Sequence, residues 1–225
     1  MVAESLLQRF DEQMRKPNQP DGCVYVGDGW SAVIRPPADG NVEPLVARMR
    51  EIDGWVEWKY HSHDLPADLP ERLVAAGLEP EDEETLVVAE AASIPPPPAD
   101  VEMREDVDSF LELAERVFGQ SFGSGMLNDA VPVVAYVDGQ PVSCGRVDLN
   151  PGVEFAGLFG GVTLPEYRGR GLYRATVARR AEIARDAGYR WLYVEALPTS
   201  RPILERLGFV PITTTTPFVI PGATR

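Results

Sequence analysis

The sequence predicts a mixed α/β protein in two parts, and three observations lead there. From about residue 100 onward, apolar spacings of two alternate with spacings of three to four, so strands and helices follow one another. Four consecutive prolines at 95–98 can continue neither a helix nor a central strand and favour a stiff extended linker. The end of the chain also has a faint counterpart before those prolines. The expected parts are residues 1–94, a linker at 95–99, and residues 100–225.

Residues 101–104 read as a short strand. Between 106 and 118 the apolar residues Val107, Phe110, Leu111, Ala114, Val117 and Phe118 keep helical spacing. Residues 131–137 form a strand, Asp138 and Gly139 a hairpin turn, and 141–148 the returning strand. Asn150, Pro151 and Gly152 turn the chain into a strand over 153–163. A glycine-rich turn then enters a helix from about 171 to 187, stopped by Gly188. Residues 191–196 are a strand, 200–207 a short helix stopped by Gly208, and a last strand region starts at Phe209. In the first part, Gly54-Trp55-Val56-Glu57-Trp58-Lys59-Tyr60 resembles Gly188-Tyr189-Arg190-Trp191-Leu192-Tyr193. Residues 69–80 likewise resemble 202–211. Two matches in the same order point to a duplicated unit whose first copy is worn to a half-domain.

With 225 residues, 44% hydrophobic and 25% charged, the chain can bury a core in either part. No run approaches the ~20 apolar residues of a membrane span, and the N-terminus lacks signal-peptide character. Cys23 and Cys144 lie far apart and outside metal-type spacing, as expected of reduced thiols in a cytoplasmic protein. A net charge of −14 argues against nucleic acid and anionic membranes and favours cationic partners.

One stretch carries recognisable chemistry: Gly160-Gly161-Val162-Thr163-Leu164-Pro165-Glu166-Tyr167-Arg168-Gly169-Arg170-Gly171-Leu172-Tyr173-Arg174. It joins a predicted strand to a predicted helix, where main-chain N–H groups and the helix dipole favour an anion. Glycines allow close approach, and Arg168, Arg170 and Arg174 supply local positive charge in an acidic chain. That is the makeup of a pyrophosphate cradle.

Here the sequence resembles the GNAT superfamily of N-acetyltransferases. Arg168-Gly169-Arg170-Gly171-Leu172-Tyr173 follows the family's phosphate loop except at Tyr173, where a small residue is usual. The resemblance covers roughly residues 101–219, including the ending Leu207-Gly208-Phe209. It implies a mixed, mostly antiparallel sheet flanked by helices, preceded by a partial duplicated unit of the same kind. It also implies acetyl-CoA as co-substrate and a small-molecule or peptide amine as acceptor. By the same resemblance, the backbone of Gly161, Val162 and Thr163 pairs with the pantetheine arm. Gly169, Arg170, Gly171, Leu172, Tyr173 and Arg174 hold the pyrophosphate beside Arg168. The family's usual acid, a Tyr, is replaced by Leu204. Glu195 matches a Glu that some members use as the base, with Glu154 a lesser candidate. Two alternatives stay open: a non-catalytic acyl-CoA-binding or regulatory module, and an acyltransferase for a longer acyl group.

His61-Ser62-His63-Asp64 superficially suggests a metal site. Zinc needs three or four placed ligands, so a flexible polar loop is expected instead, with no metal. The acidic run at 79–84 reads as a solvated turn. Trp55 and Trp58 are expected to pack in the core of the first part or against the second part.

Overall fold

The computed structural model describes residues 2–26, 31–52, 54–119, 127 and 129–222. The first elements are α1 (Val2–Met14), β1 (Val24–Val26), β2 (Ser31–Val33), α2 (Glu43–Met49), β3 (Val56–His61), α3 (Leu69–Ala75), β4 (Glu79–Pro80) and β5 (Glu84–Glu90). After the prolines come β6 (Glu102–Arg104), α4 (Val107–Phe118), β7 (Ala130–Val137), β8 (Gln140–Leu149) and β9 (Phe155–Thr163). The chain continues with α5 (Leu172–Asp186), β10 (Trp191–Ala196), α6 (Arg201–Arg206) and β11 (Val210–Val219).

Contacts gather these elements into two units that are not continuous in the chain. Unit 1 comprises Met1–Leu86, Glu195–Pro198 and Pro211–Arg225; unit 2 comprises Val87–Val194 and Thr199–Val210. The proline run therefore lies inside unit 2, and unit 1 draws its last strand from the far end of the chain.

In unit 2 the strands run β10-β9-β8-β7-β6. The pairs β6/β7, β7/β8 and β8/β9 are antiparallel, whereas β9/β10 is parallel. The β7–β8 hairpin closes at Asp138 and Gly139, both with positive φ (50° and 76°), the geometry of a type I′ turn. Helix α4 starts where Asp106 accepts the Ser109 N–H at 3.0 Å and stops at left-handed Gly119. Such a cap contributes about 1 kcal/mol. The buried face of α4, Phe110 and Leu113, packs with Val134, Tyr136, Cys144, Val162 and Leu164.

In unit 1 the strands run β1-β2-β3-β11, with β4 also on β11. Only β2/β3 is parallel; β1/β2, β3/β11 and β4/β11 are antiparallel. Trp58, fully buried, centres a core with Val33, Val46, Leu69, Leu73 and Phe218. The mixed, mostly antiparallel architecture matches the expectation.

Two expectations are corrected in part. The polar segment from His61 to Asp64 is a turn with Ser62 and His63 exposed, but its ends are anchored: His61 and Asp64 are buried, and Arg15 reaches Asp64 Oδ1 at 2.7 Å. Burial holds the His61 imidazole well below the usual histidine range. Among the described residues no group of three or more potential metal ligands is found. The acidic run is solvated only in part, since Glu84 opens β5 and turns inward to Lys59.

Candidate functional site

In unit 2, β9 and β10 begin as neighbours and then part. Their ladder sets Phe155, Ala156 and Gly157 against Trp191, Leu192 and Tyr193 and goes no further. Residues 158–163 keep ladder partners only on β8. On that side the register slips, because Cys144 opposes Val162 while Arg146 opposes Phe159. Gly160 and Gly161 therefore face the single residue Gly145, which makes a bulge.

Large side chains lie directly on this bare backbone. A Cβ at Gly145 would stand 2.5 Å from Arg180 Nη1, and one at Gly161 would stand 2.8 Å from Tyr173 Cε2. A Cβ at Gly160 would meet Phe110 at 3.2 Å. Glycine at the bulge is thus a packing requirement.

The turn after β9 leads through Pro165–Tyr167 to Gly171, the N-cap of α5, with φ of 80°. Arg168 donates its N–H to Pro165 O, and the next such bond in the chain is Ala175 to Gly171 O. The N–H groups from Gly169 to Arg174 have no main-chain acceptor among the described residues. Arg168 Nε caps Thr163 O at 3.1 Å, Arg170 lies over the Tyr167 ring, and Arg174 folds back over Gly171. None of these three exposed arginines is ion-paired among the described residues. The loop therefore presents several donors and three cations with no carboxylate partner among the described residues, which suits a diphosphate.

Beneath the bulge lies Arg180, a guanidinium with 1% exposure. Its Nη1 donates to Arg146 O on β8 at 3.2 Å and to Phe159 O on β9 at 3.3 Å, while Nε donates to Thr176 O. Nη2 is left without a partner among the described residues. The polar neighbours of the Tyr173 hydroxyl are Arg180 and Ser200. Burial raises the Tyr173 phenol above its usual range, with Arg180 and Ser200 opposing. Cys144 is no nucleophile, because burial pushes its thiol up to about 12.

Glu195 belongs to unit 1 and has its own surroundings there. Lys59 Nζ lies 3.1 Å from Glu57, 3.2 Å from Glu195 and 3.4 Å from Glu84. Burial works against the ammonium, but Glu195, Glu57 and Glu84 together hold it well above the usual lysine range. Burial raises Glu84 to about 7, with Lys59 opposing and its carboxylate neighbours adding to the rise. The sequence pattern singled out Glu195 but not Lys59, Glu57 or Glu84. Glu154 precedes β9 at its paired end, where its carbonyl accepts from Arg190 and Trp191, far along the strand from the bulge.

The model of the acetyltransferase (GNAT) family matches residues 95–209, half of the chain. The chain belongs to this family. Solved structures agree at the level of fold. The GCN5-related N-acetyltransferase from Kribbella flavida is 19% identical, with 98% of this chain and 95% of that one covered at a TM-score of 0.66. The one from Sphaerobacter thermophilus is 14% identical, with coverages of 88% and 77% and a TM-score of 0.56. A tandem GNAT protein from the clavulanic acid biosynthesis pathway is 13% identical, with coverages of 86% and 75% and a TM-score of 0.56. No curated protein matches the sequence. Where many GNAT members have a tyrosine, this chain has Leu204, fully buried. No described helix is long and apolar enough to cross a membrane.

Proposed function

We propose that this GNAT protein is an acetyl-CoA-dependent N-acetyltransferase acting on a small-molecule or peptide amine. One observation carries the reading: the uncommitted N–H groups from Gly169 to Arg174 at the head of α5, beside the strand edge that β10 leaves open. The residues fit the coenzyme. Arg168, Gly169, Arg170, Gly171, Leu172, Tyr173 and Arg174 would hold the pyrophosphate, and the 158–163 edge, with Gly161, Val162 and Thr163, would pair with the pantetheine arm. A backbone N–H there would polarise the thioester carbonyl. Positioning of donor and acceptor supplies much of the rate. An acidic protein also attracts a cationic acceptor.

Glu195 is the proposed base for the attacking amine. It stands with Glu57 and Glu84 around the single ammonium of Lys59, a cluster in which burial raises the Glu84 carboxyl to about 7. The test is thiol release from acetyl-CoA against a broad panel of amines. Glu195→Gln is expected to lower turnover about 100-fold while leaving acetyl-CoA affinity nearly unchanged. Near-normal turnover would move the base elsewhere. Leu204 favours a second reading, a non-catalytic acyl-CoA-binding module, which predicts binding without thiol release from any acyl-CoA.

We further infer that residues 1–94 descend from a degenerate GNAT half-copy, joined through 95–99 to the coenzyme-binding domain at 100–225. The order β2-α2-β3-α3-β4 repeats as β9-α5-β10-α6-β11, and in both the first two strands pair in parallel. A tandem GNAT protein among the similar folds supports such a history. Free, buried Cys23 and Cys144 fit a reducing cytoplasm.

A further inference from the structure

We propose that Lys59 and Glu84 form a proton relay behind Glu195, carrying the proton taken from the acceptor amine across the Lys59 ammonium to the Glu84 carboxylate. The relay rests on the reading of Glu195 as the base. The chemistry asks for a second proton site. An amine that arrives as an ammonium loses one proton to free its lone pair and another after that pair has formed the C–N bond. When the C–S bond breaks with its electrons going to sulfur, the thiolate takes up one proton and the other goes to solvent. Glu195 holds one proton at a time, so it must be emptied between the two losses.

The fold supplies the outlet. Glu57 and Lys59 alternate with Trp58 along β3, so they stand on the face opposite the Trp58 core. There Lys59 Nζ lies 3.2 Å from Glu195 Oε2 on β10 and 3.4 Å from Glu84 Oε2 on β5. Its third contact is Glu57 Oε1 at 3.1 Å. An ammonium has three protons and no lone pair, so the three carboxylates account for all of them. Exposure gives the direction of transfer: the Glu57 side chain is 5% exposed and the Glu84 side chain 20%. Glu57 is sealed, whereas Glu84 opens to water.

The transfer is concerted. As Nζ gives a proton to Glu84 it receives one from protonated Glu195, so the ammonium is never discharged and the Glu195 carboxylate is restored. Discharging Lys59 alone would be costly, because Glu195, Glu57 and Glu84 hold the ammonium well above the usual lysine range against its burial. Glu84 suits the receiving end. Burial raises its carboxyl to about 7, with Lys59 opposing and Glu195 and Glu57 adding, so near neutral pH it both takes up and releases a proton.

The test uses the full chain and two variants. Glu84→Gln keeps the shape of the side chain and removes the proton site. Lys59→Arg keeps a cation among the carboxylates, but a guanidinium does not give up its proton. Each should lower kcat roughly tenfold, with the KM for acetyl-CoA and for the amine changed by less than about threefold. The double variant should lose no more than either single one, since both cut the same path. Proton inventories in mixed light and heavy water give a readout that a structural role would not move. They should be curved for wild type, where several protons shift together, and linear for Glu84→Gln. Wild-type kcat should rise as pH climbs through about 7, where Glu84 empties, and Glu84→Gln should lack that limb. Undiminished kcat in either variant overturns the relay, as does a curved inventory retained in Glu84→Gln. Full activity in Glu195→Gln defeats the base reading and the relay with it, and a wild type inactive on every amine defeats acetyl transfer itself.

Discussion

Lys59 and its three carboxylates show what a single side chain cannot reveal from sequence. Glu195 lies 136 positions from the ammonium that holds it, so no local pattern couples them. Glu84 makes the coupling measurable. Its carboxyl ionises near 4.5 when unfolded and about 7 when folded, chiefly because it is buried. The folded state binds the proton more tightly, so this contribution to stability is complete below pH 4.5. It fades as pH rises from 4.5 to 7 and is absent above. Glu84→Gln mimics the protonated form at every pH. The variant's melting temperature relative to wild type should therefore climb between pH 5 and pH 8, by a few degrees. Thermal melts across that range check it, and a pH-independent difference would contradict it.

At the scale of elements, α5 and the turn before it were legible because their signals are local. Gly171 and Gly188 bracket the helix, and both take positive φ. The bulge was not legible, since it arises from a register slip against β8 and from the side chains of Arg180, Tyr173 and Phe110 that cover it. Tyr173, the one departure from the family loop, turns onto Gly161. Gly171→Asp tests the loop. It strains a left-handed position and sets a carboxylate against the diphosphate, with Arg174 drawn toward it. Like charges about 4 Å apart near a protein surface oppose one another by about 4 kcal/mol, so coenzyme affinity should fall roughly 100-fold or more. Gly171→Ala shares the strain without the charge and should lose far less. Equal losses, read by calorimetry, would remove the electrostatic argument.

At the scale of the whole molecule, most strand and helix signals after residue 100 were readable, whereas α1, β1, β2, α2 and β5 lay in a first part read only through its repeat. The composition of the units depended on long-range pairing that no window of sequence contains. The duplicated history raises the question of a second coenzyme, and unit 1 answers it. Between β2 and α2, Arg72 Nη1 donates to Gly40 O at 3.1 Å, and Pro66 presses on the same glycine. Asp39 turns back on the Asn41 N–H, and Pro44 removes a donor from the first turn of α2. Asp39 and Glu43 line the spot with negative charge, which disfavours a second diphosphate there. Calorimetry should give one acetyl-CoA per chain, and two would refute this.

Unit 1 contains β11, which lies between β3 and β4 and sends Phe218 into the core around Trp58. The last piece of the first-begun unit is therefore synthesised only after unit 2. While translation runs through the intervening residues, β3 waits with an open edge and an unfinished core, the condition in which nascent chains recruit chaperones or aggregate. For this protein the order of synthesis and the order of completion run in opposite directions.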